Sequence, residues 1–157
     1  MSHVTEVKLR LRDLDALEEA AEKCGLELVR GEKTFAWWGT FAGDSRPPAG
    51  RDPKDYGTCE HALRVKGETP RNGSRGPWSI GVAKAIDGDG YDVLFDAYGA
   101  AGQRLLDRIE PDGSKLRREY ACAVAERNAR KTLAKKGFRV ERENLPGNRI
   151  RLKLRKR

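Results

Sequence analysis

The chain opens on a period of two. Val7, Leu9 and Leu11 alternate with Lys8, Arg10 and Arg12, which predicts a half-buried strand with a basic outer face. After Asp13, a residue suited to an N-cap, the period becomes helical through Leu14, Leu17, Ala21 and Cys24. Asp15, Glu18 and Glu19 complement the dipole in the first turns, and Gly25 stops the helix. From Glu27 to Trp38 a mixed apolar stretch supplies one or two strands, with Phe35, Trp37 and Trp38 clustered at its end. Gly43 to Gly57 carries Pro47, Pro48, Gly50 and Pro53 among charges, which is loop chemistry. A loop of that length in so small a chain is usually functional or mobile. A second breaker-rich stretch runs from Gly67 to Pro77, and His61 to Lys66 between the two is long enough for one strand.

Trp78, Ile80 and Val82, then Tyr91, Val93 and Phe95, restore the alternation on either side of Asp87-Gly88-Asp89-Gly90, whose residues suit a tight turn. That is a β-hairpin. Lys115 to Lys136 reads as a long helix, entered from Pro111-Asp112-Gly113 with Ser114 as cap and closed by Gly137. At about 100° per residue its small side chains Ala121, Cys122, Ala125 and Ala129, with Leu133, share a face expected to lie on a sheet. Arg117, Arg127, Lys131 and Lys135 share another. Phe138 and Val140 begin one closing strand, and Ile150, Leu152 and Leu154 alternate with Arg151, Lys153 and Arg155 in the next. Leu145-Pro146-Gly147-Asn148 joins them in the order a type II turn wants. Few helices and many hairpins exclude a parallel doubly wound sheet. The expected class is α+β: a mainly antiparallel sheet with two helices, one of them long and in the C-terminal half, packed on one face. The 157 residues make one domain, with long loops near 43–57 and 67–77.

Charge changes the picture more than length does. Ser114 to Arg157 holds 16 Lys and Arg against 4 acids, while the first 113 residues hold 16 against 20. So uneven a distribution favours a polyanionic partner, nucleic acid first among them, although a basic tail also serves solubility. No apolar run approaches the roughly 20 residues of a membrane helix. The first residues lack the pattern of a signal peptide, and Cys24, Cys59 and Cys122 are too few and too scattered for a disulfide framework. A reducing cytoplasm is the expected location.

Several blocks together resemble a known family. Ser2-His3 with Val7, and Arg12-Asp13-Leu14-Asp15-Ala16-Leu17, are similar to the start of the hypothetical chloroplast reading frame thirty-five family, a domain of unknown function. Trp78 to Val82 and Asp89 to Leu94 resemble its central hairpin. Tyr120-Ala121, Ala129-Arg130 and Lys136 to Val140 resemble its long helix and exit strand. Ile150-Arg151-Leu152 with Leu154-Arg155 resembles its closing strand. The 43–57 loop and the 70–77 segment resemble longer versions found in bacterial and phage members. The resemblance implies a small soluble α+β protein; it brings neither an activity nor catalytic residues.

Local chemistry adds little. Cys59-Glu60-His61 pairs two metal-ligand types, but two ligands make no site, and neither an oxyanion donor nor an orienting acid completes a nucleophile. Asp87, Asp89 and Asp92 fail the calcium-loop pattern, since its sixth and twelfth positions hold Asp92 and Tyr98. Gly73-Ser74-Arg75-Gly76 lacks the lysine of a phosphate loop. The expectation is therefore a non-enzymatic accessory protein without metal or cofactor. Its candidate nucleic-acid contacts are Lys8, Arg10, Arg12, Arg117, Arg127, Lys131, Lys135, Arg151, Lys153 and Arg155. With first and last strands adjacent and facing the same way, six of these would line one sheet face. The alternative is a protein-binding module, such as a phage factor docking on a host protein, built on Trp37, Trp38, Tyr56 and the 43–57 loop.

Overall fold

Five antiparallel strands form the main sheet of the computed structural model, which describes residues 4–43, 46–48, 50–147 and 149–157, and of Lys8 the backbone alone. Ser2, His3, the Lys8 side chain and Asn148 therefore lie outside the described residues. The elements in chain order are β1 (Val4–Leu11), α1 (Leu14–Lys23), β2 (Leu26–Arg30), β3 (His61–Val65), β4 (Ile80–Lys84), β5 (Tyr91–Asp96), α2 (Gly99–Ile109), α3 (Ser114–Ala134), β6 (Phe138–Leu145) and β7 (Arg149–Lys156). The sheet order is β1-β5-β4-β3-β2, and β6 with β7 makes a separate two-stranded ribbon. The fold is α+β, as the periodicity predicted.

Both faces of the main sheet are covered. On one face Val7, Leu11, Leu63, Ile80, Val82, Val93 and Phe95 meet Leu17, Ala20 and Ala21 of α1, Leu105 and Ile109 of α2, and Leu116 of α3. α1 begins as its sequence predicts, with the Asp13 carboxylate accepting from the Ala16 N–H at 3.0 Å. α2 is an element that periodicity did not mark. Its first turn is Gly-Ala-Ala-Gly, poor in helix-forming signal, and its buried contacts come from Gly102, Leu105 and Ile109 alone.

The opposite face carries the segment from Gly31 to Cys59. Phe35, Trp37, Tyr56 and Cys59 pack there on Val4, Ala62, Ala83 and Leu94. No second strand forms between Glu27 and Trp38; the backbone there makes a single bridge, Thr34 to Thr58. Gly81 permits this packing, because a Cβ on it would overlap the Phe35 ring. Further along, Arg51 ties the proline-rich loop to the sheet. Its Nη2 lies 3.1 Å from Asp92 and 3.7 Å from Glu6, with all three side chains nearly buried. The described part of the 43–57 loop is thus fastened down at its centre.

α3 does not lie on the sheet as its small residues predicted. Ala121 and Ala125 are exposed, and the buried positions are Leu116, Ala123 and Glu126. The helix leans instead on α1 and β6. Tyr120 fixes this placement, its hydroxyl oxygen accepting from the N–H groups of Arg12 and Asp13 at 2.9 and 3.1 Å. No helix is long and apolar enough to cross a membrane among the described residues.

Candidate nucleic-acid interface

The basic C-terminal segment becomes a ribbon with two unlike faces. Pro146 and Gly147 turn the chain, with Gly147 at φ 75° as position i+2 of a type II turn requires, and the register places Leu145 opposite Arg149 and Phe138 opposite Lys156. Directly opposed residues share a face. One face therefore carries Phe138, Val140, Arg142, Asn144, Ile150, Leu152, Leu154 and Lys156; the other carries Arg139, Glu141, Glu143, Leu145, Arg149, Arg151, Lys153 and Arg155.

The first face meets α3. Val140 is buried there, and Arg142 reaches the helix with Nη2 at 3.3 Å from Glu119 and Nη1 at 3.7 Å from Glu126. Glu126 also binds Arg130 one turn on. These carboxylates explain why an acidic residue sits on the buried side of α3.

The second face looks outward. Side chains of Arg151, Lys153 and Arg155 are 59%, 45% and 69% exposed, so their pairs with Glu143, Glu143 and Glu141 at 3.5, 3.0 and 3.0 Å are solvent-screened. Such pairs contribute about 0–1 kcal/mol and exchange readily for another anion. Five cations face two carboxylates on this surface. Cations two residues apart on a strand lie about 6.7 Å from one another, close to the rise of two base pairs along a nucleic-acid strand.

The other expected contacts are deployed elsewhere. β1 pairs with β5 and β7 with β6, in different sheets, so the two basic strands do not line one face. A β-ribbon closed by its own turn has no need of a neighbour from the main sheet. Arg10 pairs with Asp87 at 2.9 Å and Arg12 with Asp89, exposed pairs that set each of these cations one-to-one against a carboxylate at the tip of the central hairpin. This also commits the aspartates that superficially resembled a calcium loop. Arg127 is not part of a free helical stripe: it holds Asp13, Asp15 and Glu19 at 3.2, 2.9 and 3.0 Å, joining α3 to the start of α1. Arg117 bends back to the Asp112 carbonyl at 3.3 Å. Lys131 and Lys135 remain exposed on the last turns of α3, the end from which the ribbon departs. Arg139 and Arg149 join the outward face without having been expected there. Counting outward from the Pro146-Gly147 turn would have placed both opposite known partners.

The aromatic alternative loses its carriers. Trp37 and Tyr56 are 6% and 8% exposed and meet edge-to-face at 5.6 Å inside the second core. Trp38 is half-buried between Trp78 and Tyr98. The reason is the loop's position: a segment laid across the sheet turns its aromatics inward, onto Val4, Ala62, Ala83 and Leu94. A cleft of about 610 Å³ remains beside them, with several of its polar groups engaged. Asn72 accepts from the Trp37 N–H, Ser79 from the Ala36 N–H, and Arg64 pairs with Glu27.

Cys59 and the Nδ1 of His61 are occupied locally, whereas the His61 Nε2 is buried without a hydrogen-bond partner. The Cys59 thiol donates to the Glu32 carbonyl at 3.3 Å, and burial pushes it up to about 12. His61 accepts from the Gly31 N–H at 2.9 Å through Nδ1, and burial holds its imidazole below the usual histidine value. Among the described residues no group of three or more His, Cys, Asp or Glu is arranged to hold a metal ion. Comparisons with protein-family models, curated proteins and solved structures return no significant match to the chain.

Proposed function

We propose that the protein is a non-enzymatic accessory factor that binds nucleic acid through the outward face of the β6–β7 ribbon. One observation carries the reading: Arg139, Arg149, Arg151, Lys153 and Arg155 share a single exposed face with only Glu141 and Glu143 against them. A two-stranded ribbon presents such a row at regular spacing and suits phosphate neutralisation, which positions a protein on a strand without reading its bases. Lys131 and Lys135 extend the positive field at the ribbon's base. The family resemblance is compatible with this reading and adds no activity to it.

The test is binding to labelled mixed-sequence DNA and RNA between about 50 and about 300 mM salt. Four phosphate contacts from β7 predict a log–log slope of about −3.6 on duplex and about −2.8 on single strands. Charge reversal at Arg151, Lys153 and Arg155 removes most of that slope. Reversal at Arg10 and Arg12 leaves it, because those cations serve the central hairpin. No binding at low salt overturns the proposal.

A further inference from the structure

At the base of the ribbon lies a second cleft of about 610 Å³, walled by Arg130 and Ala134 from the last turns of α3 and by Phe138 to Arg142, with Arg157 beside them. Five consecutive residues of β6 line it. It therefore runs along the edge of β6 that does not pair with β7. Four arginines, Arg130, Arg139, Arg142 and Arg157, line this space, with Glu141 as the acidic side chain on its wall. Arg130 and Arg142 have partners behind the wall, in Glu126 and Glu119. Arg139 and Arg157 have no ion pair among the described residues, whereas the buried Arg142 Nη1 has Glu126 at 3.7 Å, beyond hydrogen-bond distance.

The register adds a second observation. Arg139 stands directly opposite Arg155, and the single carboxylate of Glu141, 3.0 Å from Arg155, stands against both, so a further anion would find an excess of positive charge there. The Arg157 N–H donates to the Gly137 carbonyl at 2.9 Å, which fixes the end of β7 at the same place. The outward cation row thus runs along β7 and terminates where the cleft begins.

We infer that the cleft receives the terminal phosphate of a nucleic-acid strand that lies along the ribbon, an inference that rests on the reading above. A phosphodiester carries one negative charge, whereas a terminal phosphomonoester carries close to two above pH 6 and offers three acceptor oxygens. Arginines grouped around one cleft suit the second species, since a guanidinium fork can hold a phosphate bidentately. Phe138 and Val140 supply an apolar flank that limits water.

The experiment compares short single strands bearing a 5′-phosphate, a 3′-phosphate or hydroxyls at both ends, in low salt at neutral pH, with inorganic phosphate as competitor. A strand phosphorylated at the accepted end binds at least about tenfold more tightly than the hydroxyl-ended strand. The combined Arg130→Ala and Arg157→Ala variant loses that preference while keeping its melting temperature and the weaker binding of hydroxyl ends, because neither residue belongs to the outward face of the ribbon. Equal affinity for all three strands, with a normal salt slope, overturns the cleft and leaves the ribbon intact. So does a preference that survives in the double variant. Displacement of every strand alike by millimolar inorganic phosphate assigns the cleft to free phosphate and overturns the strand-end inference. Absence of binding to any strand at low salt fails the ribbon reading, and this inference with it.

Discussion

Replacing Arg142 by Met releases the ribbon from α3 while retaining most of the side chain's apolar stem. The side chains of Arg142, Glu119 and Glu126 are 16%, 18% and 9% exposed, and the two contacts measure 3.3 and 3.7 Å. At an effective dielectric of about 20 these attractions are worth about 5 and about 4.5 kcal/mol gross. Desolvation of the three ions offsets much of that, so the pair's net worth is small; removing one partner is what costs. Glu126 then keeps Arg130, whose side chain is 59% exposed, and Glu119 keeps Lys23 at 3.9 Å. The loss therefore falls at the low end of the range for a broken buried pair, about 3 kcal/mol. β7 contacts little besides β6, and an isolated hairpin is marginal in water, so the loss concentrates in local opening of the ribbon. Amide hydrogen exchange of Phe138–Leu145 should accelerate about 150-fold. The tryptophans, all packed against the main sheet, should report a smaller change in global unfolding. Exchange within about threefold of the parent would refute the reasoning and assign the anchor to Val140. A double-mutant cycle with Glu126→Gln measures the coupling directly.

Three further outcomes follow from the packing. Gly81→Val forces a side chain into the Phe35 ring and should cost about 2 kcal/mol in urea unfolding, a cost that Phe35→Leu partly relieves. His61 has its imidazole held below the ordinary value by burial, so the unfolded chain takes up a proton that the folded chain resists. Its contribution is complete above about pH 6.5 and falls as pH drops below that value; His61→Asn, whose carbonyl still accepts from Gly31, should flatten the melting temperature across this window. Burial pushes the Cys24 thiol up to about 11 and the Cys59 thiol up to about 12, whereas Cys122 is only half-buried. A thiol reagent at pH 8 should label Cys122 first and the other two only as urea unfolds the sheet; early labelling of Cys59 would contradict its burial.

Local periodicity made β1, α1, the central hairpin, the long helix and the closing ribbon legible, because each is specified by neighbours two to four residues apart. α2 escaped notice since its helix rests on two buried apolar side chains and a close approach at Gly102, both tertiary facts. The aromatic cluster lies on a loop and not on the strand expected from the apolar stretch between Glu27 and Trp38. Adjacent tryptophans on a strand must point to opposite sides, but Trp37 and Trp38 are not on a strand, and a loop folded over the sheet buries one and half-buries the other.

The same division governs the candidate site. Sequence alone determined how much positive charge the C-terminal segment carries and that Arg151, Lys153 and Arg155 face one way, since alternation is intrinsic to a strand. Tertiary structure decided which cations stay available. Arg127 meets three carboxylates 108 to 114 residues away in the chain, and Arg10 and Arg12 meet one each 77 residues away, whereas the five cations of the ribbon's outward face share two. Whether a charge is spent on folding or left for a partner depends on which opposite charges lie within about 4 Å, and the fold brings those from distant segments.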